Sequence, residues 1–124
     1  MLSCFWLVQK IIGRVSDSEL VTLYSKAKCF IFPSLYEGFG IPPIEAQACG
    51  CPCIVSNAAS LPEVCADSAI YFDPYDVADI TKKINYLLSN KLLQGNLSKK
   101  GLVNIKRFSW ASSAKNLYQI IDEL

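Results

Sequence analysis

The sequence predicts an α/β fold built on an open, doubly wound parallel sheet with helices on both faces. Three observations predict it. Short apolar runs without charge alternate with segments of helical periodicity, the order expected of parallel strands joined by right-handed crossovers. The composition is 52% hydrophobic and 19% charged, which suits strands covered on both faces and excludes a disordered tail. No internal repeat, linker or low-complexity stretch interrupts the rhythm, so the 124 residues read as a single domain.

The elements follow in order. The opening run Met1 to Val8 is apolar but too short to span a bilayer, and Gln9-Lys10 interrupts it. It has no basic leader and no small-residue cleavage site, so it is not read as a signal peptide. Ser16-Asp17-Ser18-Glu19 is a capping box, and a helix should follow to about Lys28. Cys29-Phe30-Ile31-Phe32, aromatic and β-branched and closed by Pro33, reads as a buried strand. Pro42-Pro43 fits the first turn of a helix, where a missing amide hydrogen costs nothing, and Gly50 fits its left-handed end, giving a helix over about residues 42 to 49. Cys53 to Ser56 and Ile70 to Phe72 are further strands, both free of charge and both expected in the sheet interior. Beyond Asp76, Val77, Ile80, Ile84, Leu87 and Leu88 fall on one helical face, and residues 91 to 107 form another helix. Ser109 can cap a last helix with Trp110, Ala114, Leu117, Tyr118 and Ile121 turned inward.

Composition excludes several function classes. Net charge is +1, and the lysines fall in short clusters such as Lys82-Lys83 and Lys99-Lys100 with no basic stripe, so no nucleic acid is expected as partner. There is no histidine, which removes the usual serine and cysteine triads. Of six cysteines, Cys49, Cys51 and Cys53 alternate along the chain without a second matching pair, which is not zinc-ligand spacing. No metal is expected. The cysteines read as small buried apolar residues in a reducing, cytoplasmic setting.

In doubly wound sheets ligands bind beyond the carboxyl ends of the strands, and Ser34 to Ile41 leaves one of those ends directly. Gly38 and Gly40 let the main chain turn tightly and approach a ligand. The helix starting near Pro42 points its positive dipole end at the same space, which suits a phosphate or diphosphate. Carboxylates repel phosphate but accept hydrogen bonds from hydroxyls. With Glu37 and Glu45 bordering one pocket, the arrangement suits a ligand whose sugar hydroxyls flank a diphosphate. Taken singly, each part has a plainer reading: Gly38-Phe39-Gly40 as an ordinary strand-to-helix turn, Phe39 as packing, Glu37 as a loop charge and Glu45 as a solvated helix residue.

Glu37-Gly-Phe-Gly-Ile-Pro-Pro-Ile-Glu45 resembles the Glu-x7-Glu signature of the group 1 family of retaining GT-B glycosyltransferases. The likeness continues through Ile12 to Leu20, Phe32-Pro33-Ser34, Ala46 to Ser56, Ser60-Leu61-Pro62-Glu63-Val64, Phe72-Asp73-Pro74 and Phe108-Ser109-Trp110, covering about Ile11 to Leu124. The resemblance implies a Rossmann-like domain and sugar transfer from a nucleotide diphosphate sugar, a GDP- or UDP-hexose, with retention of configuration and without a bound metal. Mannose is the hexose it leans toward, and the acceptor would be a saccharide or a lipid-linked one. Glu37 would contact sugar hydroxyls and the charge developing at the anomeric carbon. Glu45 would accept from the ribose hydroxyls, and the amides of Phe39, Gly40 and Ile41 would face sugar and diphosphate alongside Gly38.

Family members carry two Rossmann-like domains, and the resemblance assigns this chain to the later part of the second, donor-binding one. The acceptor domain and the upstream basic residues that neutralise the diphosphate would then lie outside it, and Arg14 stands at a variable position of the pattern. The chain is accordingly expected to supply part of a donor site, to be inactive alone, and to act in an enzyme that is cytoplasmic or peripheral to the membrane. The competing reading is a noncatalytic module, derived from such an enzyme, that binds a nucleotide or a protein. Sheet surface left uncovered would favour self-association in either case. A receiver-like or flavin-binding domain of similar winding lacks the acidic cluster that receiver chemistry needs.

Overall fold

The structure, a computed structural model, describes residues 10–124, and the reading of the Met1 to Val8 run lies outside the described residues. The capping box forms as expected. The Ser16 hydroxyl accepts from the Glu19 amide at 3.4 Å, and the Glu19 carboxylate accepts from the Ser16 amide at 2.8 Å, starting helix α1 over Asp17–Lys26. The Ser16 amide and hydroxyl bonds also hold the Glu19 carboxyl below its ordinary acidity range. Strand β1, Phe30–Phe32, leads to helix α2, Ile41–Ala48, and strand β2, Cys53–Ser56. Then come a short helix α3, Leu61–Cys65, and strand β3, Ala69–Phe72. Helices α4, Val77–Leu88, and α5, Lys91–Asn104, follow, then a 3-10 turn over Ile105–Arg107 and helix α6, Trp110–Asp122.

The described residues form a three-stranded parallel sheet in the order β1-β2-β3. Register decides which residues share a face. Phe30, Cys53 and Ala69 stand side by side, as do Phe32, Val55 and Tyr71, and these rows pack against Tyr24, Ala46, Leu61 and Val64 of the first three helices. The opposite face carries Ile54, Ile70 and Phe72, covered by Ile80, Ile84 and Leu87 of α4 and Leu93 and Leu97 of α5. The doubly wound arrangement is therefore realised, with β2 fully buried at its centre.

Three expectations are corrected, and one element had not been read. β3 is an edge strand among the described residues rather than an interior one, and its charge-free sequence reflects cover from both faces. Helix α3 was not read from the sequence, because five residues are too few to display a 3.6-residue period. In α4 only Leu87 is buried, with Ile80 and Ile84 partly buried beside it; Val77, at 77% exposure, and Leu88 face outward. The last helix starts at Ser109, which accepts from the Ser112 amide at 3.4 Å, but its apolar side is not turned into a core. Trp110, Leu117, Tyr118 and Ile121 are all exposed, and α6 has no buried residue. Periodicity reports an apolar face without saying what covers it.

Cys51 and Cys53 are buried, their thiols directed at the carbonyls of Ala27 at 3.9 Å and Pro43 at 3.6 Å. A second polar feature joins the helices. Gln47 of α2 is 1% exposed and fully paired: its Nε2 donates to Ser68 Oγ at 2.8 Å, and its Oε1 accepts from Asn104 Nδ2 at 2.9 Å. Asn104 also donates to the Val64 carbonyl at 3.0 Å, and its own oxygen accepts from Arg107 at 2.7 Å. Gly101 of α5 lies against this carboxamide so closely that a Cβ there would stand 3.0 Å from Gln47 Cγ. No helix among the described residues is long and apolar enough to cross a membrane.

Two stability measurements check this packing. Gly101→Ala, which must displace a packed side chain, is expected to lower unfolding free energy by about 1–3 kcal/mol in urea titrations. Burial lifts the thiols of Cys51 and Cys65 from their ordinary value of 9.0 to about 11. The unfolded chain sheds those protons first, so stability is intact below pH 9 and declines as pH rises toward 11. The urea midpoint should fall through that window, and less so in Cys51→Ala measured against its own value at neutral pH.

Candidate functional site

The chain leaves β1 at Pro33 and crosses the carboxyl ends of the strands before entering α2, and three serines hold this crossing. Ser56, the last residue of β2, donates its hydroxyl to the Ser34 carbonyl. Ser34 Oγ stands 2.9 Å from Glu37 Oε1 and 3.1 Å from the Tyr36 carbonyl, so one hydroxyl proton restrains the carboxylate and the turn behind it. Ser60, just before α3, donates to the carbonyls of Glu37 at 3.0 Å and Phe39 at 2.9 Å. Glu37 is half-buried in consequence.

Gly40 is the N-cap of α2 and adopts φ +94°, a left-handed conformation that only glycine takes without strain. It is also buried, and a Cβ at this position would stand 2.6 Å from Leu61 Cδ2. Gly38 differs: its φ is not left-handed, and a Cβ there would meet no protein atom within 4 Å. No protein contact demands glycine at that position, and the space beside it is open.

Pro42 and Pro43 carry no amide hydrogen, so the donors at this end of α2 belong to Gly38, Phe39, Gly40 and Ile41. Among the described residues none of these four N–H groups meets a protein acceptor. The positive end expected of α2 is therefore supplied mainly by the loop before the helix, not by its first turn.

Helix α2 buries Pro43, Ala46 and Gln47 and leaves Ile41, Glu45 and Ala48 on its outer side. Glu45 lies one turn beyond Ile41 and is exposed, while Tyr24 of α1 stands near enough to feel its charge. Burial first, then the Glu45 carboxylate, raises the Tyr24 phenol above its ordinary range. On its other flank α2 borders an apolar cleft of about 510 Å³, walled by Phe39, Ile41, Ile44, Ile105, Phe108 and Trp110 among others. Phe39 packs edge-on against Phe108 at 5.3 Å between ring centres, and the Arg107 guanidinium lies 5.1 Å over the same Phe108 ring. Neither Glu37 nor Glu45 lines this cleft.

Sequence reasoning named Glu37, Gly38, Phe39, Gly40, Ile41 and Glu45, and all six lie on the single crossing between β1 and the second turn of α2. It missed the three serines and Phe108. Ser60-Leu61-Pro62-Glu63 has the spacing of a capping box, yet the Ser60 side chain makes no cap bond to α3.

Comparison with known proteins gives consistent relatives. The profile of the family described as "Glycosyl transferases group 1" matches residues 8–103. The chain is 41% identical over 102 residues to the serotype-specific mannosyltransferase WbdA of Escherichia coli, covering 82% of this chain and 12% of that protein. It is 39% identical over 113 residues to the O-antigen chain mannosyltransferase B of Escherichia coli, covering 89% of this chain and 30% of that one. Among solved structures, sucrose-phosphate synthase from Thermosynechococcus elongatus superposes with a TM-score of 0.80 at 28% identity, covering 90% of this chain and 29% of the synthase. The chain thus spans between about an eighth and a third of the length of these relatives.

The geometry at the two glycines separates their roles. Gly40→Ala is expected to cost about 1–3 kcal/mol of stability through left-handed strain and the collision with Leu61. Gly38→Ala should stay within about 0.5 kcal/mol of wild type. Parallel denaturant titrations of the two variants check the contrast.

Proposed function

The chain belongs to the glycosyl transferases group 1 family, and we propose that its β1–α2 crossing forms part of the site for a nucleotide diphosphate sugar, from which a hexose is passed to an acceptor. Its fold is that of a GT-B glycosyltransferase domain, matched by sucrose-phosphate synthase. The observation that carries the proposal is the set of four N–H groups from Gly38 to Ile41 without a protein acceptor, flanked along the chain by the carboxylates of Glu37 and Glu45.

In this reading the diphosphate lies against the main-chain amides of Phe39, Gly40 and Ile41, with Gly38 allowing close approach. As the bond from the anomeric carbon to the leaving diphosphate lengthens, negative charge grows on the diphosphate oxygens and positive charge on the sugar. Fixed amide dipoles stabilise the first without reorganising, the kind of contribution that usually dominates such steps. Glu37, already restrained by Ser34, contacts the sugar hydroxyls and faces the developing positive charge. Glu45 accepts hydrogen bonds from the ribose hydroxyls, a task for which its exposure on the outer side of α2 leaves it available. The reading assigns charge stabilisation to amides and needs no bound metal. Configuration at the anomeric carbon is retained.

Two relatives named as mannosyltransferases support mannose as the sugar, and a name that refers to an O-antigen chain supports a saccharide acceptor; the proposed donor is a GDP- or UDP-hexose and the proposed acceptor a saccharide or a lipid-linked one. The chain covers only part of those proteins, so transfer is proposed for the polypeptide to which this segment contributes its share of the donor site.

Calorimetric titration with GDP-mannose and UDP-hexoses is expected to show weak binding by the 124-residue chain. Glu45→Ala should weaken it about tenfold, the loss expected for charge-assisted hydrogen bonds. Unchanged affinity in that variant removes Glu45 from the ribose role. In an enzyme assembled with the acceptor-binding half of a relative, Glu37→Ala should lower turnover by about 10²–10³, and full turnover would discard the assignment.

A further inference from the structure

We propose that Ser60 is the positioning residue of this site: its hydroxyl turns the peptide groups on either side of Gly38-Phe39 so that the Gly38 and Gly40 N–H groups point outward as a pair, aimed at the diphosphate of the donor. The proposal rests on the donor-site reading for what the pair binds, but not for how the pair is held.

Ser60 sits where a helix cap would normally be, three residues before Glu63, but its backbone is helical at φ −79° and ψ −13° and its side chain makes no bond to α3. The hydroxyl reaches instead across more than twenty residues of sequence to the carbonyls of Glu37, at 3.0 Å, and Phe39, at 2.9 Å. In a trans peptide the N–H points opposite to the C=O of the same unit, and no peptide bond among the described residues is cis. The Glu37 carbonyl shares its unit with the Gly38 N–H, and the Phe39 carbonyl shares its unit with the Gly40 N–H. Drawing both carbonyls toward Ser60 therefore drives both N–H groups away from it, and among the described residues neither finds a protein acceptor.

The neighbouring residue completes the device. Leu61 packs its side chain against Gly40 with no room for a Cβ between them, which reserves the position for glycine and leaves its φ of +94° free of strain. The intervening Phe39 N–H is not set by Ser60, since the Gly38 carbonyl has no such bond. Two amides are thus set apart from their neighbours, and Gly38 becomes a donor in its own right, beyond its role in allowing close approach. Main-chain N–H groups presented on one side of a turn are a recognised way to hold an anion.

The test uses the ¹⁵N-labelled chain as wild type, Ser60→Ala and Ser60→Thr. Titration with GDP and UDP should shift the Gly38 and Gly40 amide signals more than those of β2, whereas guanosine and uridine should leave both in place. Relaxation order parameters at Gly38 to Gly40 should fall from about 0.85 in wild type to below about 0.6 in Ser60→Ala, with those of β2 unchanged. Diphosphate affinity should fall about tenfold in the same variant, the scale of one lost hydrogen bond to a charged site's scaffold. Ser60→Thr, which restores the hydroxyl, should recover both. Unchanged loop order in Ser60→Ala overturns the positioning role whether or not any nucleotide binds. Loosened loop order with undiminished diphosphate affinity overturns the link from position to binding. A wild-type protein whose Gly38 and Gly40 signals ignore GDP and UDP overturns the diphosphate assignment and the donor-site reading beneath it, while the order parameters still decide what Ser60 holds.

Discussion

A carboxamide shut away from water must have all its hydrogen bonds made inside the protein, and Gln47 meets that demand with two partners from outside its own helix. Its nitrogen is taken by Ser68 at the entry to β3 and its oxygen by Asn104 of α5, which in turn holds α3 through the Val64 carbonyl. Leaving any one of these groups unpaired costs roughly 1–3 kcal/mol, so the helices settle where all are paired together. The orientation of α2 follows, because Gln47 can enter the network only with Pro43 and Ala46 also turned inward. Ile41 and Glu45 are then left on the outer side. A buried polar group fixes the azimuth of the helix that carries the candidate site.

Hydroxyl groups do for the loop what the carboxamide does for the helix. Ser34, Ser56 and Ser60 come from the ends of different elements and bond to carbonyls or a carboxylate within the same short crossing. Main-chain acceptors are thereby consumed internally and main-chain donors left over, giving the crossing an electropositive surface without a single basic side chain. The two acidic residues at its ends provide the opposite polarity. In the proposed donor site such a surface would offer donors to an anion at its middle and acceptors to hydroxyls at its margins, the contrast a nucleotide sugar presents.

Legibility from sequence varied with the length scale of the signal. The capping box at Ser16, the double proline of α2 and the charge-free run of β2 are local patterns whose physics is complete within a few residues, and each element formed where it was expected. The six candidate residues could be named for the same reason, all falling within the stretch from Glu37 to Glu45. What escaped was decided by distant partners. Ser60 carries the spacing of a cap and spends its hydroxyl elsewhere; Gln47 looks like any helix glutamine until Asn104 is brought beside it; and the apolar side of α6 is obvious in sequence but exposed in the fold. Pattern identifies which surfaces are apolar or polar, and only tertiary structure assigns their partners.

The exposure of α6 has a thermodynamic corollary. A helix of 13 residues with no buried side chain has little beyond its own backbone bonds and the Ser109 cap to sustain it, and isolated helices of that length are marginal in water. Its stability is therefore expected to lie below that of the sheet and its layers. Opened on its own, the segment after Phe108 is the natural first point of entry for a protease, and its removal would spare the buried core that Gln47 knits together.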